Sequence, residues 1–123
     1  MRTLNYLLLA VAEPASSAAF YSDLLRIEPV ENSPTFVLFV LPNGMKLGLW
    51  MASEIDPAPR AAGGVEVTFS EVDRAGVEAS YKDWSRKARI LQEPTDMDFG
   101  FTFVAEDPDG HRLRVFTPAA NPR

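Results

Sequence analysis

The chain has 123 residues, 46% of them apolar and 24% charged, with a formal net charge of −5, one histidine and no cysteine. That is the composition of one soluble globular domain with room for a single core, and the missing thiols exclude disulfides, thiolate metal sites and cysteine nucleophiles together. The acidic balance speaks against nucleic acid or an anionic membrane as partner, because phosphate binding needs a basic face. No apolar stretch approaches the ~20 residues of a membrane span, and we expect a cytoplasmic protein.

Residues Tyr6 to Ala12 form a continuous apolar run ended by Glu13-Pro14. Arg2 ahead of this run gives it the look of a short signal peptide, but cleavage would remove a strand that the rest of the chain requires, so it reads as a strand buried on both faces. Pro14 presets a first helical turn, and a helix through Leu25 carries Phe20, Tyr21, Leu24 and Leu25 on one face. A short segment at Ile27 to Val30 leads to the Asn32-Ser33-Pro34 turn. Strands at 36–41 and 45–51 then flank Pro42-Asn43-Gly44.

Residues 53–63, rich in Pro, Ala and Gly, read as a linker between a first module of about 1–52 and a second of about 64–118, the two making one domain over 1–123. Val65 to Phe69 alternates as a strand, and Ser70-Glu71-Val72-Asp73 offers a capping box to a helix with Val77, Tyr81, Trp84 and Ala88 on one stripe. The cluster of Lys82, Arg86, Lys87 and Arg89 reads as the solvated side of that helix. A short strand at Ile90 to Gln92 and a turn at Glu93 to Asp98 precede a hairpin over Phe99 to Phe116. Its turn is Asp107-Pro108-Asp109-Gly110, and the tail from Pro118 should fray.

This hairpin repeats the earlier one over Phe36 to Trp50. Aligning Gly44 with Gly110 pairs Leu47 with Leu113, Leu49 with Val115 and Trp50 with Phe116. Each half is therefore βαβββ, which makes the chain α+β with two tandem modules of curved mixed sheet and helices outside.

The duplicated module, Phe20-Tyr21 at the first helix and Asp107-Pro-Asp-Gly before the last strand resemble the vicinal oxygen chelate superfamily of glyoxalase and bleomycin-resistance proteins. Gly48-Leu-Trp50, Trp84, Glu93-Pro-Thr-Asp, Phe99-Gly100 and His111-Arg-Leu-Arg114-Val resemble more closely its phenazine-antibiotic resistance members, which are binding proteins. The resemblance implies half-barrel sheets whose concave faces form a cavity, and a homodimer with the site at the subunit interface. It also implies a test for a metal. Enzymes of the superfamily hold a divalent ion with one His, Gln or Glu on the first and last strand of each module, and the matching positions here are Tyr6, Glu66, Gly48 and Arg114. A glycine has no side chain and an arginine is cationic, so only Glu66 suits an ion. The single histidine, His111, beside the turn glycine, reads as structural or solvent-facing. We expect no metal, no other cofactor and no catalytic residue.

Strand parity sorts the remaining side chains. Leu7 and Leu9, Leu47 and Leu49, Val65, Val67 and Phe69, and Leu113 and Val115 suit packing against helices. Tyr6, Gly48, Trp50, Glu66, Thr68, Arg114 and Phe116 suit a cavity, with Gly48 leaving space beside the Trp50 ring. Phe36 and Phe101 join them as candidate ligand contacts, although irregular flanks leave the facing of Phe36, Phe99, Phe101 and Phe103 open. Trp50 and Tyr6 read equally as core or dimer packing, and Glu66 with Arg114 as a structural ion pair. Such a pocket suits a planar aromatic small molecule, an antibiotic-like, phenazine-type compound, bound without metal to give resistance. The alternatives are a lyase, isomerase or dioxygenase-like enzyme of the same fold with an altered or absent metal site, and a regulatory dimer whose cavity has closed.

Overall fold

The computed structural model describes residues 1–119, which fall into two compact units, one of Met1–Ala61 and one from Ala62 onward. Each unit is one βαβββ module. The first comprises β1 (Tyr6–Val11), α1 (Pro14–Leu25), β2 (Glu31–Asn32), β3 (Phe36–Val40) and β4 (Lys46–Met51), with a 3-10 turn at Ala52–Glu54. The second comprises β5 (Glu66–Ser70), α2 (Arg74–Trp84), β6 (Arg89–Met97), β7 (Gly100–Glu106) and β8 (Arg112–Pro118). The strand orders are β1-β4-β3-β2 and β5-β8-β7-β6, so equivalent strands occupy equivalent places. In both sheets the first strand runs parallel to the last, and the other neighbours are antiparallel.

One turn geometry serves both modules. Gly44 and Gly110 each have φ +90°, a left-handed conformation in which a side chain is strained. Gly44 N donates to Leu41 O at 2.8 Å and Gly110 N to Asp107 O at 3.1 Å. In the second turn the buried Asp107 also accepts from the backbone N–H groups of Asp109 and His111 at 2.8 and 2.9 Å, which fixes the Asp-Pro-Asp-Gly loop.

Each sheet has one helix, and each helix covers one face. Pro14, Ser17, Ala18, Tyr21 and Leu24 are the buried positions of α1, which packs on β3 and β4. Against them lie Leu9, Val11, Val37, Phe39, Leu47 and Leu49, all buried. In the second unit α2 buries Val77 and Trp84 against β7 and β8. Trp84 meets Phe69 and Phe103 edge-on at centroid distances of 5.2 and 5.6 Å, and Tyr81 meets Phe103 at 5.4 Å. These T-shaped contacts place ring edges against ring faces, the favoured electrostatic arrangement.

Several local expectations are corrected. β1 is buried on one face only: Leu9 and Val11 are covered, while Tyr6 is 39% and Leu8 53% exposed. The short segment pairs at Glu31–Asn32 rather than at Ile27 to Val30, of which only Val30 reaches the sheet, through its N–H to Leu38 O. Ser70 ends β5 and cannot cap α2. Asp73 is the cap, its carboxylate accepting from Gly76 N at 2.8 Å. Because α2 stops at Trp84, Ala88 lies beyond it and Arg89 begins β6, while Arg86 and Lys87 fold back onto Asp83 at 3.8 and 2.9 Å.

The largest difference is β6, which continues through Met97 where a turn was expected. β6 is an edge strand, and its register shifts between Ile90 and Gln92 and again between Gln92 and Thr95, so Pro94 falls where no ladder pair is needed. At the C-terminus Pro118 ends β8 and Ala119 N donates to Phe99 O, so these two residues are held. The rest of the tail expected to fray, residues 120–123, lies outside the described residues.

An added Cβ at Gly44 or Gly110 would meet no atom within 4 Å, so only backbone strain opposes alanine there. Urea unfolding should show Gly44→Ala and Gly110→Ala each losing roughly 1–2 kcal/mol. A loss at one turn and none at the other would contradict their equivalence.

Candidate functional site

Parity decides what the faces away from the helices present. In the first unit Phe36 is paired with Trp50 across β3 and β4, Leu38 with Gly48, and Leu8 with Gly48 across β1 and β4. Tyr6, Leu8, Phe36, Gly48 and Trp50 therefore share the face opposite α1. On it lies a concavity of about 560 Å³ lined by Tyr6, Leu8, Phe36 and Trp50, with Glu31, Ser33 and Thr35 along one rim. Ser33 is fixed by its own turn, its hydroxyl donating to Phe36 O at 3.0 Å and accepting from Phe36 N at 3.1 Å.

Gly48 leaves no free space in this concavity. A Cβ built on it would stand 2.7 Å from Leu8 Cδ2 and 3.0 Å from Phe36 Cζ. The glycine instead lets the ends of those two side chains lie down on the strand, which gives the concavity a flat apolar floor. Leu8, Glu31, Ser33 and Thr35 were missed as lining residues. Leu8 has the parity of Tyr6 and was legible by that rule, whereas the three rim residues belong to β2 and its turn, where no periodic pattern exists to read.

In the second unit the face opposite α2 carries Glu66, Thr68, Arg112, Arg114 and Phe116. Register places Thr68 beside Arg114, Glu66 beside Arg112, and Thr102 beside Phe116. Arg114 donates from Nε to Glu66 Oε1 at 2.7 Å, from Nη2 to Glu66 Oε2 at 3.1 Å and from Nη1 to Thr102 Oγ1 at 3.1 Å. The hydroxyl of Thr102, fully buried, in turn donates to Val115 O at 2.8 Å. Arg112 adds a second guanidinium, its Nε 2.9 Å from Glu66 Oε2. Thr68 is exposed, and Phe116 is half-buried with its ring 6.0 Å from that of Phe99.

Phe99, at the β6–β7 turn, is the hairpin phenylalanine beside Arg114, whose guanidinium carbon is 5.6 Å from its ring centre. Phe101 is on the opposite face, with the parity of Phe103, and so does not join Arg114 and Phe116. It floors a separate concavity of about 410 Å³, where the Arg74 guanidinium lies 3.9 Å over its ring and binds Asp96 at 2.6 Å.

The donor set at the four positions that the resemblance implies for a metal does not suit an ion. Tyr6 offers a phenol in place of a His, Gln or Glu side chain, Gly48 has no side chain, Arg114 is a cation, and Glu66 is already engaged by two guanidiniums. Among the described residues no three His, Cys, Asp or Glu side chains converge as ligands. Hydrogen bonds from Arg114 first, then from Arg112, with the Coulomb attraction of both, hold the Glu66 carboxyl below its ordinary value of 4.5 against the opposing effect of burial. Ionised and held in this way, Glu66 is a weak base.

A model of the family described as Glyoxalase/Bleomycin resistance protein/Dioxygenase superfamily matches residues 3–115. The phenazine antibiotic resistance protein EhpR of Enterobacter agglomerans is 27% identical over 117 residues, covering 92% of this chain and 90% of its own. A solution NMR structure of a protein from Agrobacterium tumefaciens is 44% identical, with a TM-score of 0.88 over 98% of this chain and all of the other. A glyoxalase/bleomycin resistance protein/dioxygenase from Nocardioides shares the fold at 21% identity, with a TM-score of 0.86 over all of this chain and 87% of its own. Among the described residues no helix is long and apolar enough to cross a membrane.

Because Glu66 is held below its unfolded value, its ion pairs stabilise the fold fully above about pH 4.5, and that contribution is lost as pH falls through the lowered folded-state value. Glu66→Gln should cost about 1 kcal/mol at pH 7 and lose less stability than the parent on acidification below pH 4.5, read from urea midpoints. Parallel pH profiles for the two proteins would contradict this role.

Proposed function

The chain belongs to the Glyoxalase/Bleomycin resistance protein/Dioxygenase superfamily, and on that premise we propose that it binds a planar aromatic small molecule, of phenazine type, without a metal and without turning it over. The observation that carries this reading is the concavity walled by Tyr6 and Trp50 over the floor made by Leu8 and Phe36, open on a face that α1 does not cover. A flat ring system buries its faces against such walls, and an indole offers an offset-stacking surface with an N–H at its edge. The 27% identity to a phenazine antibiotic resistance protein supports the ligand class and a part in resistance.

Binding rather than chemistry is supported by the state of Glu66, a carboxylate committed to Arg112 and Arg114 and so weakened for abstracting a proton. On the open face of the second unit, taken by itself, Glu66, Thr68, Arg114 and Phe116 remain proposed ligand contacts, with Phe99 in the place first given to Phe101. The protein acts as a homodimer with its sites at the subunit interface and works in the cytoplasm. Superfamily members are commonly dimeric binders of small molecules, and the exposed Tyr6 and Leu8 leave apolar surface for a ligand or a partner to cover.

Calorimetric titration with phenazine tests the reading. Trp50→Ala should weaken binding by the ~0.5–1.5 kcal/mol of an aromatic pair plus the buried area lost, which is about tenfold or more, while unfolding stability changes little. An unchanged affinity for a confirmed aromatic ligand, or a loss of affinity no larger than the loss of folded protein, would contradict it. Light scattering should give twice the monomer mass at micromolar concentration, and a monomer would refute the dimer.

A further inference from the structure

The concavity of the first unit carries charge of one sign. Among the described residues that line it, Glu31 alone is charged, and the rest are aromatic, aliphatic or hydroxyl side chains. Strand register puts it there. Glu31 is paired with Leu38, Leu38 with Gly48 and Gly48 with Leu8, so the four form one row across β2, β3, β4 and β1 on the face opposite α1. Phe36 and Trp50 belong to the next row. Two strand spacings, about 10 Å, separate the backbone of Glu31 from that of Gly48. A ring system laid against Phe36 and Trp50 therefore has Glu31 at its end rather than beneath it.

The carboxylate is open to a ligand. Glu31 is exposed, with no ion pair and no side-chain hydrogen bond among the described residues. Lys46, the cation that shares the parity of Gly48 and Trp50, is paired with Tyr6 and Val40 in the row on the other side. It does not line the concavity and forms no ion pair with Glu31. Ser33, on the same rim, has already given its hydroxyl hydrogen to Phe36 O, so it has no donor left for an anion. The rings favour the same sign as the carboxylate, because the face of an aromatic ring attracts a cation and repels an anion.

We propose that Glu31 makes this concavity selective for cations, so that its ligand is an aromatic compound bearing an alkylammonium group. The rings lie against Trp50 and Phe36, and the ammonium donates to the Glu31 carboxylate at the rim. This rests on the aromatic-binding reading above and adds the charge of the ligand. Both contacts belong to the first unit alone.

The test is calorimetry on the full chain with probes that share one ring system and differ in charge. They are 2-(aminomethyl)phenazine, an ammonium ion at neutral pH, the neutral 2-(hydroxymethyl)phenazine of nearly equal size, and the anion phenazine-2-carboxylate. The parent should bind the amine about fivefold more tightly than the alcohol, and the acid more weakly than either, with both differences shrinking at high salt. Glu31→Gln should erase the advantage of the amine and leave the affinity for the alcohol unchanged. That variant should fold as the parent does, since Glu31 has no side-chain partner among the described residues to lose. Glu28→Gln removes the same charge from an exposed residue outside the concavity and should keep the advantage. Equal binding of amine and alcohol by the parent, an advantage that survives Glu31→Gln, or one equally lost in Glu28→Gln, would overturn the cation subsite and leave the aromatic-binding reading in place. Failure of all the probes to bind would overturn both.

Discussion

Each module builds a four-stranded sheet but supplies only one helix to cover it, and this shortage of cover is the constraint from which the rest of the structure follows. A sheet buried on one face must send its large apolar side chains to that face, and the period of two along a strand leaves the alternate positions for the other. Leu9, Val37, Phe39, Leu47 and Leu49 therefore disappear under α1, and Leu113, Val115 and Phe103 under α2. Tyr6, Leu8, Phe36 and Trp50 are then displayed by default, as are Glu66, Arg112 and Arg114. Fold and candidate site are two readings of one alternation.

The two open faces have diverged from one plan. At equivalent positions of the parallel first and last strands, one module has Tyr6 beside Lys46 and Leu8 beside Gly48, and the other has Glu66 beside Arg112 and Thr68 beside Arg114. The first combination yields an apolar concavity, because Gly48 lets Leu8 and Phe36 lie flat over the strand. The second yields a charged cluster, tied to the core through the Thr102 hydroxyl and Val115 O. A duplicated scaffold thus keeps its backbone turns, with φ +90° at both Gly44 and Gly110, while its side chains specialise.

What was legible in the sequence was whatever depends on period and punctuation. The limits of α1, the repeated hairpins and the identity of most open-face residues follow from Pro14, from the two Pro- and Gly-containing turns and from alternation. Less legible were features settled by tertiary neighbours. Pro94 reads as a breaker, yet at a bulged sheet edge a missing N–H costs little and β6 runs through it. Ser70 reads as a cap until pairing with Phe116 draws it into β5 and leaves the role to Asp73. Gly48 reads as a gap, whereas flexible side chains from two neighbouring strands fill it. The second arginine on Glu66 shares the parity of the first, but a face assignment does not say which of its members touch.

The central claim is that the face α1 leaves uncovered binds a flat aromatic ring, and the chain's two tryptophans make it directly measurable. Trp50 is half-buried on that face, and Trp84 is 6% exposed inside the α2 core. Titration of 15N-labelled protein with phenazine, followed at the two indole N–H resonances, should move the Trp50 signal saturably and leave that of Trp84 in place. Movement of the Trp84 signal with that of Trp50 unchanged would contradict the account.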